Sequence, residues 1–205
     1  MLKACQIIEI IESEKKFWAS IYKSEKAHWL DKKPSNLSKK VVRKFGNLGN
    51  VLEIGCAAGI DTFYLAEHST SIVGIDIVPD AIEIAKENLT KLKPSIQKKI
   101  TFETGDAERL KYRDDSFDFV YSLSVLHSTN ISKSLPEVKR VLTDKGRAVI
   151  YVYTGDGKEE VDQDKFLDVC QDLFEVTKQE EIEIKKDAGE DTHHALIVWL
   201  EVKNA

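Results

Sequence analysis

Apolar and polar positions along this chain change rhythm near residue 50. Before that point, residues 5–30 place Ile7, Ile11, Trp18 and Tyr22 near one face at helical spacing. The run "NLSKKVVRKFG" predicts a second helix, with Asn36 or Ser38 near its cap and Gly46 just past its end. From Asn50 onward, short apolar runs alternate with helical patterns. "NVLEIG", "SIVGID", "KITFETGD", the start of "SFDFVYSLSVLH" and "GRAVIYVYTG" have the look of strands. Between and after them, "IDTFYLAEH", "PDAIEIAKENLTKL", "SLPEVKRVL" and "DQDKFLDVCQDLF" are helical, and Pro79 suits a first helical turn. "VTKQEEIEIKK" and "HHALIVWLEVK" close the chain as two alternating strands.

This order predicts a parallel sheet covered by helices on both faces. The last two strands are joined by "DAGEDT", which is too short for a helical crossover. The final strand is therefore expected to run antiparallel in an otherwise parallel sheet.

Composition narrows the function classes. The 205 residues fit one domain, and 42% hydrophobic with 32% charged residues is globular. The net charge of −5 is spread over mixed acids and bases, so the basic stripe of a nucleic-acid binder is missing. Cys5, Cys56 and Cys170 are far apart and lack CxxC spacing. Free thiols in a reducing compartment fit better than a disulfide framework or a zinc site. "MLKACQIIEIIESEKK" has Glu9 and Glu12 interrupting any signal-type apolar region, and no apolar run approaches a membrane span. A cytoplasmic monomer or homodimer, with no membrane or nucleic-acid partner and no bound metal, is the expectation.

The chemistry concentrates where strands end. In an open α/β sheet, ligands bind beyond the carboxyl ends of the strands, near the point where strand order reverses. "VLEIGCAAG", residues 51–59, sets Glu53 before the small residues Gly55, Ala57, Ala58 and Gly59. Such a turn lets ligand atoms approach the main chain, or it is merely tight. Asp76 ends the second strand and can accept both hydroxyls of a ribose, or cap the helix near Pro79. In "GDAERL", Asp106 can accept from an exocyclic amine or serve as a turn residue. In "YSLSVLH", Ser122 and Leu123 present backbone near the sheet centre.

Glu53-x-Gly55-x-Ala57-x-Gly59, Asp76, "GDAERL" and "FDFVYSLSVLH" together resemble the class I S-adenosylmethionine-dependent methyltransferases, over residues 40–155. The resemblance implies a Rossmann-like, seven-stranded, mostly parallel sheet of order 3-2-1-4-5-7-6, with strand 7 antiparallel and helices on both faces. It implies S-adenosylmethionine as cofactor. Glu53, Gly55, Ala57 and Gly59 would meet its methionine part, Asp76 with Ile77 its ribose, and Asp106 with Ala107 its adenine, with Ser122 alongside. Ala57 stands where the family's motif has its middle glycine, a departure that adds a methyl group to the turn.

Residues 1–35 are expected to form a helical cap on a core of residues 36–205. "FWASIYKSEKAHWL" followed by "KPSNL" is similar to the N-terminal region of thiopurine and tellurite-resistance methyltransferases. That similarity brings Tyr22 and Trp29 toward the cofactor, where an aromatic face attracts a sulfonium. The alternative is a helix that only packs its apolar stripe. His127, His193 and His194 are candidate bases for an acceptor that must lose a proton. Adjacent strand residues face opposite ways, so only one of His193 and His194 is expected to face the site. The leading reading is methyl transfer to a small molecule by in-line displacement. A nicotinamide-dependent oxidoreductase and a non-catalytic S-adenosylmethionine-binding module are the alternatives.

Overall fold

The central strands are apolar on both faces, which suits them to a sheet covered on both sides. A computed structural model describes residues 16, 20, 33–155, 160–185 and 192–203. Within it, β1 (Asn50–Ile54), β2 (Ser71–Asp76), β3 (Ile100–Thr104), β4 (Phe117–Leu123), β5 (Leu142–Thr154), β6 (Phe174–Lys185) and β7 (Thr192–Val202) form one sheet. Its order is β3-β2-β1-β4-β5-β7-β6. β3, β2, β1, β4 and β5 pair in parallel, whereas β7 runs antiparallel to both β5 and β6. The order is the one the family resemblance implies, and the antiparallel last strand is the one its short link predicts. Strand order reverses between β1 and β4, so their carboxyl ends define the crevice.

The helices are α1 (Asn36–Phe45), α2 (Ile60–Ala66), α3 (Pro79–Leu89), α4 (Pro94–Gln97), α5 (Ile131–Val141) and α6 (Gln163–Leu173), among the described residues. Alternate residues of β1 feed two cores. Leu52 and Ile54 join Leu135 and Val138 of α5 and Phe166 of α6. Val51 joins Val41 of α1, Leu65 of α2, Phe119 and Trp199 on the other face. Glu53 shares that second face, between Gly74 on β2 and Tyr121 on β4.

Three details differ from the sequence expectation. The cap of α1 is Ser35, whose Oγ accepts from the Ser38 N–H at 3.0 Å, and neither Asn36 nor Ser38 fills that role. The first strand ends at Ile54, leaving Gly55 as the first turn residue. The short helix α4, opened by Pro94, has no counterpart among the elements expected from the sequence. Tyr22, Trp29 and the rest of the proposed cap, save residues 16, 20 and 33–35, lie outside the described residues, as do residues 186–191 of the last link.

Gly59, at φ +84°, starts α2, and a Cβ there would come within 2.6 Å of the Phe102 ring and 2.9 Å of the Phe63 ring. Those rings already meet edge to face at 5.8 Å. Gly59→Ala is expected to cost about 1–2 kcal/mol for the left-handed backbone alone. Urea unfolding should show a lower midpoint with unchanged slope. An unchanged midpoint contradicts the crowding.

Candidate functional site

The turn after β1 is built from left-handed backbone: φ is +78° at Gly55, +46° at Ala57 and +84° at Gly59. The Gly55 and Cys56 N–H groups both donate to the Ile75 carbonyl, at 2.7 and 2.9 Å. A Cβ on Gly55 would lie 2.0 Å from a Val125 methyl, so the turn is pressed against the loop that follows β4. Ala57 holds its uncommon conformation with help from Asp76, whose Oδ2 accepts the Ala57 N–H at 3.1 Å. The extra methyl therefore sits on a pinned backbone.

Asp76 is 7% exposed and ties two loops together. Its other oxygen accepts the Val78 N–H at 3.0 Å, and the cap of α3 is Val78, not Asp76. The Gly105 N–H donates to the Asp76 carbonyl at 2.9 Å, which brings the loop after β3 alongside. Asp76, half-buried Ile77, half-buried Asp106 and buried Ala107 thus lie on adjacent loops. Asp106 Oδ1 accepts the Glu108 N–H at 2.9 Å, the contact of a turn residue. Ser122 is fully buried and its Oγ donates to the Ile54 carbonyl at 3.2 Å, so its side chain is turned onto β1.

Beneath the turn lie two more carboxylates. Glu53 is 3% exposed and accepts a 2.5 Å hydrogen bond from Thr62 Oγ1. Burial pushes its carboxyl well above the usual range, the Asp61 and Asp76 charges push the same way, and the Thr62 bond opposes them. Asp61, in the first turn of α2, accepts from the Ser35 N–H at 2.7 Å, Ser38 Oγ at 2.9 Å and Tyr121 Oη at 2.8 Å. Burial and Asp61 push the Tyr121 hydroxyl pKa up, so it stays a donor. Sequence reasoning passed over Asp61, Thr62 and Tyr121. The one signal was an acid two residues beyond Gly59, in a first helical turn where acids are common anyway.

The candidate histidines separate into two groups. His127 lies in a 3-10 turn, Leu126–Ser128, just past β4. Its Nδ1 accepts the Tyr153 N–H at 3.4 Å, and its ring meets the Tyr153 ring at 5.1 Å. Burial pushes its pKa down to about 4, against the opposing charge of Glu160. His193 sits 6.3 Å from the same Tyr153 ring, with Nδ1 3.0 Å from Glu160 Oε1. His194 is exposed and pairs with Thr154 and Glu183 across the sheet, outside this group. Tyr151, Tyr153 and Glu160 were not among the residues singled out from the sequence. Among the described residues, no cluster of three or more His, Cys, Asp or Glu is placed to hold a metal ion, and no helix is long and apolar enough to cross a membrane.

The turn of left-handed backbone after β1, the buried carboxyls of Glu53 and Asp61 beneath it and Asp76 on the next loop stand together at the carboxyl edge of the sheet. In the chemistry of their donor set these residues fit S-adenosylmethionine: carboxylate acceptors for an ammonium and for ribose hydroxyls beside a turn of small residues. A family model described as a methyltransferase domain matches residues 46–195, and the chain belongs to that family. A sterol 4-C-methyltransferase of Caenorhabditis elegans is 29% identical over 101 residues, covering 49% of this chain and 30% of the relative. The magnesium-protoporphyrin O-methyltransferase of Rhodobacter capsulatus is 33% identical over 97 residues, covering 47% and 39%. The chain therefore spans well under half the length of these curated relatives. Among solved structures, the N-methyltransferase NodS of Bradyrhizobium japonicum WM9, in complex with S-adenosyl-L-homocysteine, superposes with a TM-score of 0.73 at 18% identity. That match covers 93% of this chain and 98% of NodS, and it speaks to the fold.

Proposed function

We propose that the chain binds S-adenosylmethionine at the carboxyl edge of β1, β2, β3 and β4 and transfers its methyl group to a small molecule. The observation that carries this is Glu53, a buried carboxyl pushed toward its neutral form beside a turn of bare backbone. A nearby cation favours the charged form of such a group. In this reading Glu53 and residues 55–59 hold the methionine end. Asp76 and Ile77 take the ribose, Asp106 and Ala107 the adenine, and the Ser122 main chain lines the middle. When bound, the cofactor supplies a methyl group already activated on a sulfonium. The chain's own contribution is orientation, which can provide much of such a rate. Buried free thiols at Cys56 and Cys170 support a reducing, cytoplasmic setting.

A nicotinamide dinucleotide needs its pyrophosphate at a helix N-terminus. Here that helix opens with Asp61, above Glu53 and near Asp76, so phosphate meets negative charge. Calorimetric titration with S-adenosylmethionine and with NAD separates the two readings; binding of NAD alone overturns ours. A chain that binds S-adenosylmethionine yet methylates none of a panel of thiols, amines and hydroxyl compounds would be a binding module instead.

Asp76→Ala is expected to weaken S-adenosylmethionine by about 1.5–3 kcal/mol, the range for hydrogen bonds to a charged group. Part of that loss comes from freeing the Ala57 and Val78 N–H groups that Asp76 now holds. Titration of the folded variant is the check, and wild-type affinity removes Asp76 from the site.

A further inference from the structure

We propose that His193 takes a proton from the methyl acceptor, that Glu160 positions it for this, and that the acceptor is an aromatic hydroxyl compound. This rests on the methyltransferase reading above. The group stands at the same sheet edge as the glycine turn. Val125 presses on Gly55, and two residues later His127 packs on Tyr153, which in turn neighbours His193.

The two histidines present opposite faces to an acceptor. His127 spends Nδ1 on the main-chain N–H of Tyr153, so its neutral ring carries the proton on Nε2. Burial keeps that ring neutral at physiological pH. It can donate a hydrogen bond but has no lone pair to offer. His193 places Nδ1 3.0 Å from the Glu160 carboxylate, an acceptor that favours the Nδ1–H tautomer and so puts the ring's lone pair on Nε2. A carboxylate that fixes the tautomer of an adjacent histidine in this way makes it a general base. The His193 side chain is 37% exposed and that of Glu160 19%, so the base is reachable while its partner is largely covered.

The surroundings suit a flat acceptor. Tyr151 and Tyr153 meet edge to face at 5.6 Å, and His127 meets Tyr153 the same way at 5.1 Å. Rings stacked edge to face beside a base favour an aromatic guest. An imidazole is also better matched to an aromatic hydroxyl, with a pKa of about 10, than to an alcohol. In the step, the acceptor O–H proton passes to Nε2 of His193 as the acceptor oxygen bonds the methyl carbon. The carbon–sulfur bond breaks with its electron pair left on sulfur. A sulfonium and a hydroxyl thus become a thioether and an ether, and the positive charge ends on the imidazolium.

The first test needs no turnover. Imidazole nitrogen NMR of the full chain with S-adenosylhomocysteine at pH 8 is expected to show His193 protonated on Nδ1 and His127 on Nε2. Glu160→Gln should shift His193 toward the Nε2–H form, and Glu160→Asp should restore the wild-type form. A wild-type His193 protonated on Nε2 overturns the proposal. The second test uses phenol, catechol and 2-naphthol as probe acceptors, with phenethylamine as the amine control. His193→Gln and Glu160→Gln should each lower kcat by about a hundredfold, the lower end for general-base catalysis, with S-adenosylhomocysteine affinity unchanged. Wild-type rates in His193→Gln, preference for the amine, or no methylation of any hydroxyl probe by a chain that binds S-adenosylhomocysteine would each overturn it. Absence of S-adenosylhomocysteine binding defeats instead the methyltransferase reading on which it stands.

Discussion

Asp61→Ala is expected to lower the stability of the chain by about 3 kcal/mol, the cost of leaving several buried donors without their charged acceptor. The carboxylate takes hydrogen bonds from Ser35 N, Ser38 Oγ and Tyr121 Oη, and so joins the start of α1, the start of α2 and the middle of β4. Two of those donors keep an alternative. Ser35 Oγ lies 3.1 Å from Tyr121 Oη, and Ser38 Oγ also reaches the Ser35 carbonyl at 3.0 Å. The variant also relieves Glu53 of a like charge. These offsets hold the estimate below the sum of three lost charged hydrogen bonds. Asp61→Asn should cost less, because one acceptor oxygen remains. Urea midpoints of the two variants against wild type are the measurement. If Asp61→Ala unfolds at the wild-type midpoint, the cluster carries no stability.

The same cluster marks where sequence reading stops. A mostly parallel sheet was legible because β1 to β5 are apolar runs separated by helical ones, and the short link before β7 ruled out a crossover; the strand order itself came only from the family resemblance. The glycine turn and Asp76 were legible because both sit at strand ends, where the fold class itself places ligands. Asp61 was not. Its partner Tyr121 is 60 residues away and reads as one more apolar strand position. Only the β1–β4 pairing brings Tyr121 beside Glu53 and under α2. Ser35, Asn36 and Ser38 are all good capping residues, so the choice rested on one hydroxyl's geometry that no spacing rule supplies. His193 and His194 could be expected to diverge from strand alternation alone. That Glu160 waits on the His193 side depends on Gly155, over which its carboxylate lies, and so on how the chain leaves β5.

Binding of S-adenosylmethionine is expected to release a proton and to tighten as pH rises. Glu53 explains both. Its folded-state pKa is raised by burial and then by Asp61 and Asp76, so the ligand-free chain keeps this carboxyl protonated above pH 4.5, where an unfolded glutamate has ionised. A raised pKa means that the stability contributed by the protonated group is fully present below the unfolded value and is lost as pH climbs through the folded one. A bound ammonium or sulfonium favours the carboxylate and lowers that pKa. Between the unfolded value and the raised one, the ligand must therefore expel a proton from Glu53. Affinity should grow by up to about tenfold per pH unit in that window and level off above it. Titrations in two buffers of different ionisation enthalpy would read the released proton directly. In Glu53→Gln the proton release and the pH slope should vanish together. The ligand-free variant should also resist unfolding better than wild type at pH 8, since it no longer buries a carboxylate that has to ionise. A binding enthalpy independent of buffer from pH 5 to 8, or the same slope in Glu53→Gln, would mean that Glu53 does not meet the cation.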